Sequence, residues 1–414
     1  MEPGLPPASI LVELRISNFE TCCSTEGKVK ITRRKWLRQA VGAVAAVGVT
    51  AVLRSEASAL PKTGRTVDPH IITGDGSLMT HASSRGLLTG AAVNTQLLHS
   101  DETYRRVLGQ QYSMVVGENC MKFGPTHPKP ERYSFNDADG MMAFAEANGM
   151  KVRGHNFVWH EALPDWFAGT VTKENAKQIL VDHIMTVGGR YKGRIHSWDV
   201  VNEAIWIQDG RPDGLRSSSP WFQMLGPEYI DLAYRTAHEA DPKALLTYND
   251  YGIEYDNNEE GKKRAAVLDL LKRMKVAGTP IHALGVQSHL NAASTSTFGR
   301  STTELLDGAR QLGLQVFITE LDVKDDGLET DDIAKRDEIV AGVYRDFTGS
   351  MLEGKDVKAL LTWGVSDEHS WLNSPKWRVK HPDRLQRPLP FDAEYTPKPA
   401  FFALRDSFGK AKKR

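Results

Sequence analysis

A single (β/α)8 barrel is the fold this sequence predicts, and three observations predict it. From Gly86 onward, short β-rich runs alternate with longer stretches of helical period, the pattern of a parallel sheet covered by helices. Eight such units in about 355 residues fit one barrel better than two domains. The competing arrangement, a doubly wound open sheet, is marked by a G-x-G-x-x-G turn after its first strand, and none occurs here.

The eight runs are LLTGAAV (87–93), SMVVGEN (113–119), MKVRGHN (150–156), IHSWDVVNE (195–203), ALLTYND (244–250), ALGVQSH (283–289), QVFITELD (315–322) and ALLTWGV (359–365). Most are rich in Val, Leu and Ile on consecutive positions, which suits strands buried on both faces. The helical stretches between them are DADGMMAFAEANGM, TKENAKQILVDHIMTV, EYIDLAYRTAHEADP, GKKRAAVLDLLKRMKVAG, STTELLDGARQLG and DIAKRDEIVAGVYRDFTGSM. Several stop at Gly or Asp-Pro, as helix C-termini do. The last, PKPAFFALRDSF, opens on prolines that suit a first turn. The acidic stretch 322–332 reads as a solvated loop without the spacing of an EF-hand.

The start of the chain does not belong to this pattern. Thr32, Arg33, Arg34, Trp36 and Leu37 precede a short apolar segment, residues 40–53, and Ala57, Ser58 and Ala59 follow with small side chains. The segment is too short to span a bilayer and matches a signal h-region with its cleavage site. Its paired arginines resemble a twin-arginine export signal. The expected organisation is therefore an N-terminal extension and signal over 1–59, removed on export, and a catalytic barrel over 60–414. The mature protein is expected in a periplasm or outside the cell, with no integral membrane segment.

Composition narrows the partners. Residues 1–59 take 8 basic and 5 acidic residues from a chain with 52 of each, leaving a net charge of −3. No basic stripe offers itself to nucleic acid. Of three cysteines, Cys22 and Cys23 leave with the signal, so Cys120 has no partner for an internal disulfide. Stability must come from the core, and a chain of this length buries a large one. A monomer is expected.

In a barrel the catalytic groups sit where strands end, and the runs end on polar residues. Glu118 and Asn119 close the second, His155 the third, Asn202 and Glu203 the fourth, Asn249 and Asp250 the fifth. Gln287 and His289 close the sixth, Glu320 and Asp322 the seventh, and Trp363 the eighth. Any one of these can be explained as a helix cap; their recurrence at strand after strand points to a site. Glu203 and Glu320 would face each other across the barrel mouth, and two carboxylates in different surroundings divide into proton donor and nucleophile, as in a glycosidase. Gln287 and His289 are expected to hydrogen-bond Glu320 and keep it ionised. Trp159, Trp363 and Trp371 follow strand ends, where an indole face can stack on a sugar ring. No H-E-x-x-H occurs and Cys120 has no ligand partner, so neither metal nor cofactor is expected.

GENCMKF, RGHNFVWH, WDVVNEA, QSHL, ITELDV and LLTWGVSDEHSW stand in the order and at about the spacings of glycoside hydrolase family 10, the endo-β-1,4-xylanases, which the chain resembles over about residues 80–408. The resemblance implies a (β/α)8 barrel and retaining hydrolysis of β-1,4-xylan and xylo-oligosaccharides, with Glu203 as general acid/base and Glu320 as nucleophile. It also implies that Asn202 binds the 2-hydroxyl of the reacting sugar and that Gln287 and His289 orient the nucleophile. Glu118, Asn119, Lys122, His155, Trp159, Trp363 and Trp371 would line the non-reducing side of the cleft. Tyr248, Asn249 and Tyr251 would serve the leaving-group side. The chain departs from the family at Glu161 and Ala162, where Ser-Gln is common, at Phe123, commonly Trp, and at Gly117, commonly Thr; these departures are expected toward the non-reducing side. A β-1,4-glucanase built on the same two acids and a non-catalytic carbohydrate-binding barrel are the alternatives.

Overall fold

The computed structural model describes residues 72–414, so the expected signal lies outside the described residues. Among the described residues there are nine parallel strands: β1 (Leu88–Val93), β2 (Met114–Gly117), β3 (Lys151–Val158), β4 (Ser197–Asn202), β5 (Leu245–Asp250), β6 (Ala283–Val286), β7 (His289–Asn291), β8 (Gln315–Lys324) and β9 (Val357–Thr362). Strands β1 to β6 pair in sequence, β6 passes to β8, β8 to β9, and β9 back to β1, which closes an eight-stranded barrel. The short β7 pairs only with the end of β8. The sixth run was expected as one strand and is two, because Ser288 between them takes a left-handed φ of 66°. Its N–H is held by the buried Glu254 carboxylate at 2.8 Å, which stabilises a conformation a non-glycine residue otherwise avoids.

Helices cover the barrel where the helical period placed them: Asn136–Ala147, Ala176–Arg190, Tyr229–Ala240, Asn258–Val276, Gly299–Gln311, Ile333–Leu352 and Pro399–Lys410. One was missed. Glu102–Gln111 lies between β1 and β2, capped by the Asp101 side chain on the Tyr104 N–H, and it buries Tyr104, Val107, Leu108 and Gln111. That spacing of three, four and seven is a helical stripe legible in the sequence. No helix among the described residues is long and apolar enough to cross a membrane.

Two cores result from the alternation of side chains across each strand. The larger lies between strands and helices. The smaller fills the barrel interior with Met114, Val116, Phe317 and Leu361 among others. Tyr248 belongs to the outer core, fully buried with its hydroxyl on Asp250, so it does not serve the cleft as expected; Asn249, next in the chain, points inward instead. The loop after β8 is also not what its acidity suggested. Asp322, Asp325 and Asp326 are buried: Asp325 pairs with Arg336, and Asp326 accepts from the N–H groups of Val379, Lys380 and His381. Charge in the sequence marked an internal ion pair and a loop anchor, and only its end, at Glu329, Asp331 and Asp332, is exposed.

The wall between β3 and β4 depends on a glycine. Gly154 is in register with Trp198, whose fully buried indole stacks on Phe157 at 4.1 Å. A Cβ at 154 would fall 1.9 Å from the Trp198 ring. Gly154→Ala is therefore expected to destabilise the fold by about 3 kcal/mol, the upper end of ordinary overpacking. A denaturant midpoint equal to that of the unaltered protein would refute this packing.

Candidate active site

Glu203 and Glu320 stand on opposite sides of the barrel mouth, Glu203 just past the end of β4 and Glu320 within β8, four residues before its end. Both line one cleft of about 470 Å³ with Lys122, His155, Trp159, Tyr251, Trp363 and Trp371. Irregularities in the strands bring them there. The β8–β9 register shifts between Ile318 and Leu321, and the β4–β5 register between Asp199 and Val201. Such bulges re-aim side chains; as a result Thr319 and Glu320 are directed toward the interior although they are consecutive. Glu203 leaves its strand with φ 59°, its N–H on the Asn249 carbonyl and its own carbonyl accepting from Arg216 Nε, both at 2.9 Å.

The two carboxylates have opposite surroundings. Burial alone would push Glu320 up, but a hydrogen bond from His289, the positive fields of His155 and His289 and a bond from Asn249 outweigh it and hold the carboxyl at about 2. Asn249 Nδ2 donates to its Oε1 at 2.7 Å, and His289 Nε2 stands 3.2 Å from Oε2. His289 keeps its proton: burial opposes the charge, but Asp322, 3.0 Å from Nδ1, and Glu320 raise its pKa well above the ordinary value. Asp322 in turn accepts from the Trp371 indole N–H at 2.7 Å, which ties a wall of the cleft to the same network. Glu203 is raised, first by burial and further by the charges of Asp250 and Glu320, against a bond from Gln287 that lowers it. One carboxyl is thus held ionised and the other is biased toward its protonated form, the direction of difference that general acid and nucleophilic catalysis require.

Two expected partners are exchanged. Gln287 Nε2 donates to Glu203 at 3.0 Å and to Asn202 at 3.3 Å, not to Glu320. Asn249, expected on the leaving-group side, is fully buried beneath the carboxylates and bonds Glu320 and Asn202. The cause is register: Asn249 lies beside Asn202 across the β4–β5 pair, so its amide reaches the barrel axis below Glu320. Asn202 Nδ2 donates to Glu203 at 3.1 Å.

The other expected residues fall around this pair. Lys122 Nζ donates to Asn119 at 3.0 Å and lies 5.1 Å from the Trp159 ring and 5.9 Å from that of Trp363. Glu118, beside them, is raised by burial, with Lys122 opposing. The Trp363 ring meets His155 edge-on at 5.2 Å, and Trp371 meets His289 at 5.0 Å. Tyr251 carries Lys263 Nζ 3.7 Å from its ring. Of the family departures, only Glu161 lines the cleft. Phe123 is buried, stacked at 3.8 Å on the equally buried His183, and a Cβ at Gly117 would stand 2.4 Å from Cys120 Sγ, so both are packing positions.

Sequence reasoning missed Arg153 and Asp199, buried under the site: Arg153 pairs with Asp199, which accepts from His155 Nδ1 at 3.0 Å. An acid at the centre of an apolar strand was the available signal. It also missed Trp377 and Lys376, cleft residues on the loop after Trp371. Among the described residues, His155, Asp199 and Glu320 offer oxygen and nitrogen atoms within 4.8 Å of one another. Arg153 already supplies the positive charge there, which disfavours a cation.

The chain matches the family model for Glycosyl hydrolase family 10 over residues 77–407. It is 35% identical over 327 residues to endo-1,4-beta-xylanase B of Paenibacillus barcinonensis, covering 76% of this chain and 93% of that one. It is 36% identical over 327 residues to a beta-1,4-xylanase of Dictyoglomus thermophilum, covering 76% and 86%. Among solved structures it resembles xylanase 10B of Thermotoga maritima, with TM-score 0.70, 35% identity and coverage of 81% and 98%. It also resembles xylanase 10B of Thermotoga petrophila, solved with xylobiose, with TM-score 0.71, 34% identity and coverage of 82% and 99%.

Proposed function

The chain belongs to glycosyl hydrolase family 10, and from that premise we infer that it is an endo-1,4-β-xylanase which cuts internal bonds of xylan with retention of configuration. The observation that carries the reading is the contrast between its two cleft carboxyls, Glu320 held at about 2 and Glu203 raised. In the first step Glu203 gives its proton to the departing glycosidic oxygen while a Glu320 oxygen bonds to the anomeric carbon, and the leaving chain departs as an alcohol. The positive charge of the oxocarbenium-like transition state lies beside the Glu320 carboxylate. Once the glycosyl ester has formed, Glu320 no longer carries a negative charge, and the reason for Glu203 to hold a proton weakens. Glu203 then takes a proton from water, the water oxygen bonds to the anomeric carbon, and Glu320 leaves as carboxylate.

The surrounding residues are assigned by what they touch. His289 and Asn249 hold the nucleophile, Asn202 and Gln287 hold the acid, and Trp363 and Trp371 form a wall against the reacting ring. Lys122, Asn119, Glu118, His155 and Trp159 serve the non-reducing side, and Tyr251 the leaving-group side.

Proton NMR of the first products from a soluble β-1,4-xylan tests the mechanism. New reducing ends should appear as the β-anomer and reach the equilibrium mixture only by later mutarotation. Initial α-anomers would mean a single displacement by water and would overturn the assignment of Glu320 as nucleophile.

A further inference from the structure

Beneath the two carboxylates lies a directed chain of hydrogen bonds whose first member takes no part in the reaction as described. Thr319 Oγ1 donates to Asn249 Oδ1 at 2.7 Å. Asn249 Nδ2 donates to Glu320 at 2.7 Å and to Asn202 Oδ1 at 2.9 Å, and Asn202 Nδ2 donates to Glu203 at 3.1 Å. Thr319 and Asn249 are both buried, and they sit on strands that are not neighbours, β8 and β5, with β6 between them. They meet because β6 presents Gly285 at that level: a Cβ there would stand 2.3 Å from Asn249 Oδ1 and 3.1 Å from Thr319 Cγ2. The backbone of β6 closes the floor under the amide oxygen, and the Thr319 hydroxyl is its one side-chain partner among the described residues.

We propose that Thr319 is a positioning residue for the nucleophile, its hydroxyl fixing the Asn249 amide so that the amide N–H groups face Glu320 and Asn202. The physical case is one of satisfaction. A buried amide carbonyl without a donor is costly, and the amide would relieve that cost by rotating or shifting away from its present partners. Any such movement weakens the donor on Glu320 and, through Asn202, the geometry at Glu203. Thr319 thereby acts on both carboxyls without touching substrate. The inference rests on the reading of Glu320 as nucleophile.

Thr319→Val keeps the shape and removes the hydroxyl, whereas Thr319→Ser keeps the hydroxyl. The measurement is kcat/KM on a nitrophenyl β-xylobioside as a function of pH, with thermal unfolding of each variant as a control. Besides Asn249, the charged and titratable groups facing Glu320 are His289, His155, Asp199, Lys122 and Glu203, and these stay in place in all variants. Thr319→Val is expected to lower kcat/KM about tenfold and to move its acid limb toward higher pH, because the ionised form of Glu320 loses a donor. Thr319→Ser should recover most of the rate and the original limb. In an Asn249→Ala background the valine change should have less than about a twofold effect, since its route to Glu320 is gone. Should the valine variant fail to fold, Thr319→Cys, a far weaker donor, takes its place. A lowered rate with an unmoved acid limb, or full effects of Thr319→Val and Asn249→Ala that simply multiply, would overturn the proposal. Failure of the underlying reading would show separately, as xylan cleavage that survives Glu320→Ala.

Discussion

Glu320→Ala is expected to lower xylan hydrolysis by roughly 10^5-fold or more, the scale on which removal of a nucleophile acting within a catalytic unit is felt. The loss should be chemical and not structural. His289 remains anchored on Asp322, Asp199 on Arg153, and Asn249 on Thr319 and Asn202, so the walls of the vacated position persist. The truncation opens a small gap on the face of the sugar opposite the leaving group. With a nitrophenyl β-xylobioside, whose leaving group needs little protonation, added azide should enter that gap and bond to the anomeric carbon in one displacement. The product would be the α-xylobiosyl azide, identified by its anomeric proton coupling. A β-azide, or a variant retaining more than about a hundredth of the original rate on xylan, would contradict the assignment, since general acid catalysis alone supplies about 10²–10⁴-fold.

Glu203→Ala should divide substrates by leaving group. Xylan, which departs as a poor alkoxide unless protonated, should be cut about 10²–10⁴-fold more slowly. A nitrophenyl β-xylobioside should still form the glycosyl ester rapidly and then stall, because no base remains to activate water. A burst of nitrophenolate followed by a slow phase is the expected trace. Azide needs no base, so it should restore turnover and give the β-azide, with overall retention. The pH profile supplies a second readout. Glu203 must be protonated for the first step, and its pKa is raised by burial and by the charges of Asp250 and Glu320. Activity of the unaltered protein should therefore hold below that pKa and fall as pH rises through it. At the other end, Glu320 must be ionised, so activity falls as pH drops toward about 2. Glu203→Ala should abolish the alkaline limb with the activated substrate and leave the acid limb. A persistent alkaline limb would assign it to another group.

Much of this molecule could be read from local pattern. Consecutive apolar residues in runs such as 315–322, with polar residues at their ends, indicate strands buried on both faces and a reactive rim, because a parallel barrel is covered outside by helices and filled inside by side chains. Glu203 and Glu320 were legible for the same reason: an acid at the end of an apolar strand is costly unless it is at that rim. The helix Glu102–Gln111 was legible too, in the spacing of Tyr104, Val107, Leu108 and Gln111, and was overlooked.

The sequence by itself determined the strands, most of the helices and the identity of the two acids, since these follow from periodicity and from the cost of burying charge along one stretch of chain. Only the tertiary structure decided which side chain meets which acid. Gln287 and Asn249 exchanged partners, Tyr248 turned outward, Arg153 found Asp199 across a strand pair, and Thr319 reached Asn249 over the missing side chain of Gly285. Each of these depends on strand register, on bulges near the rim and on the closure of β6 onto β8 and β9 onto β1. Those quantities are set by packing between segments far apart in the chain, and a local pattern carries no term for them.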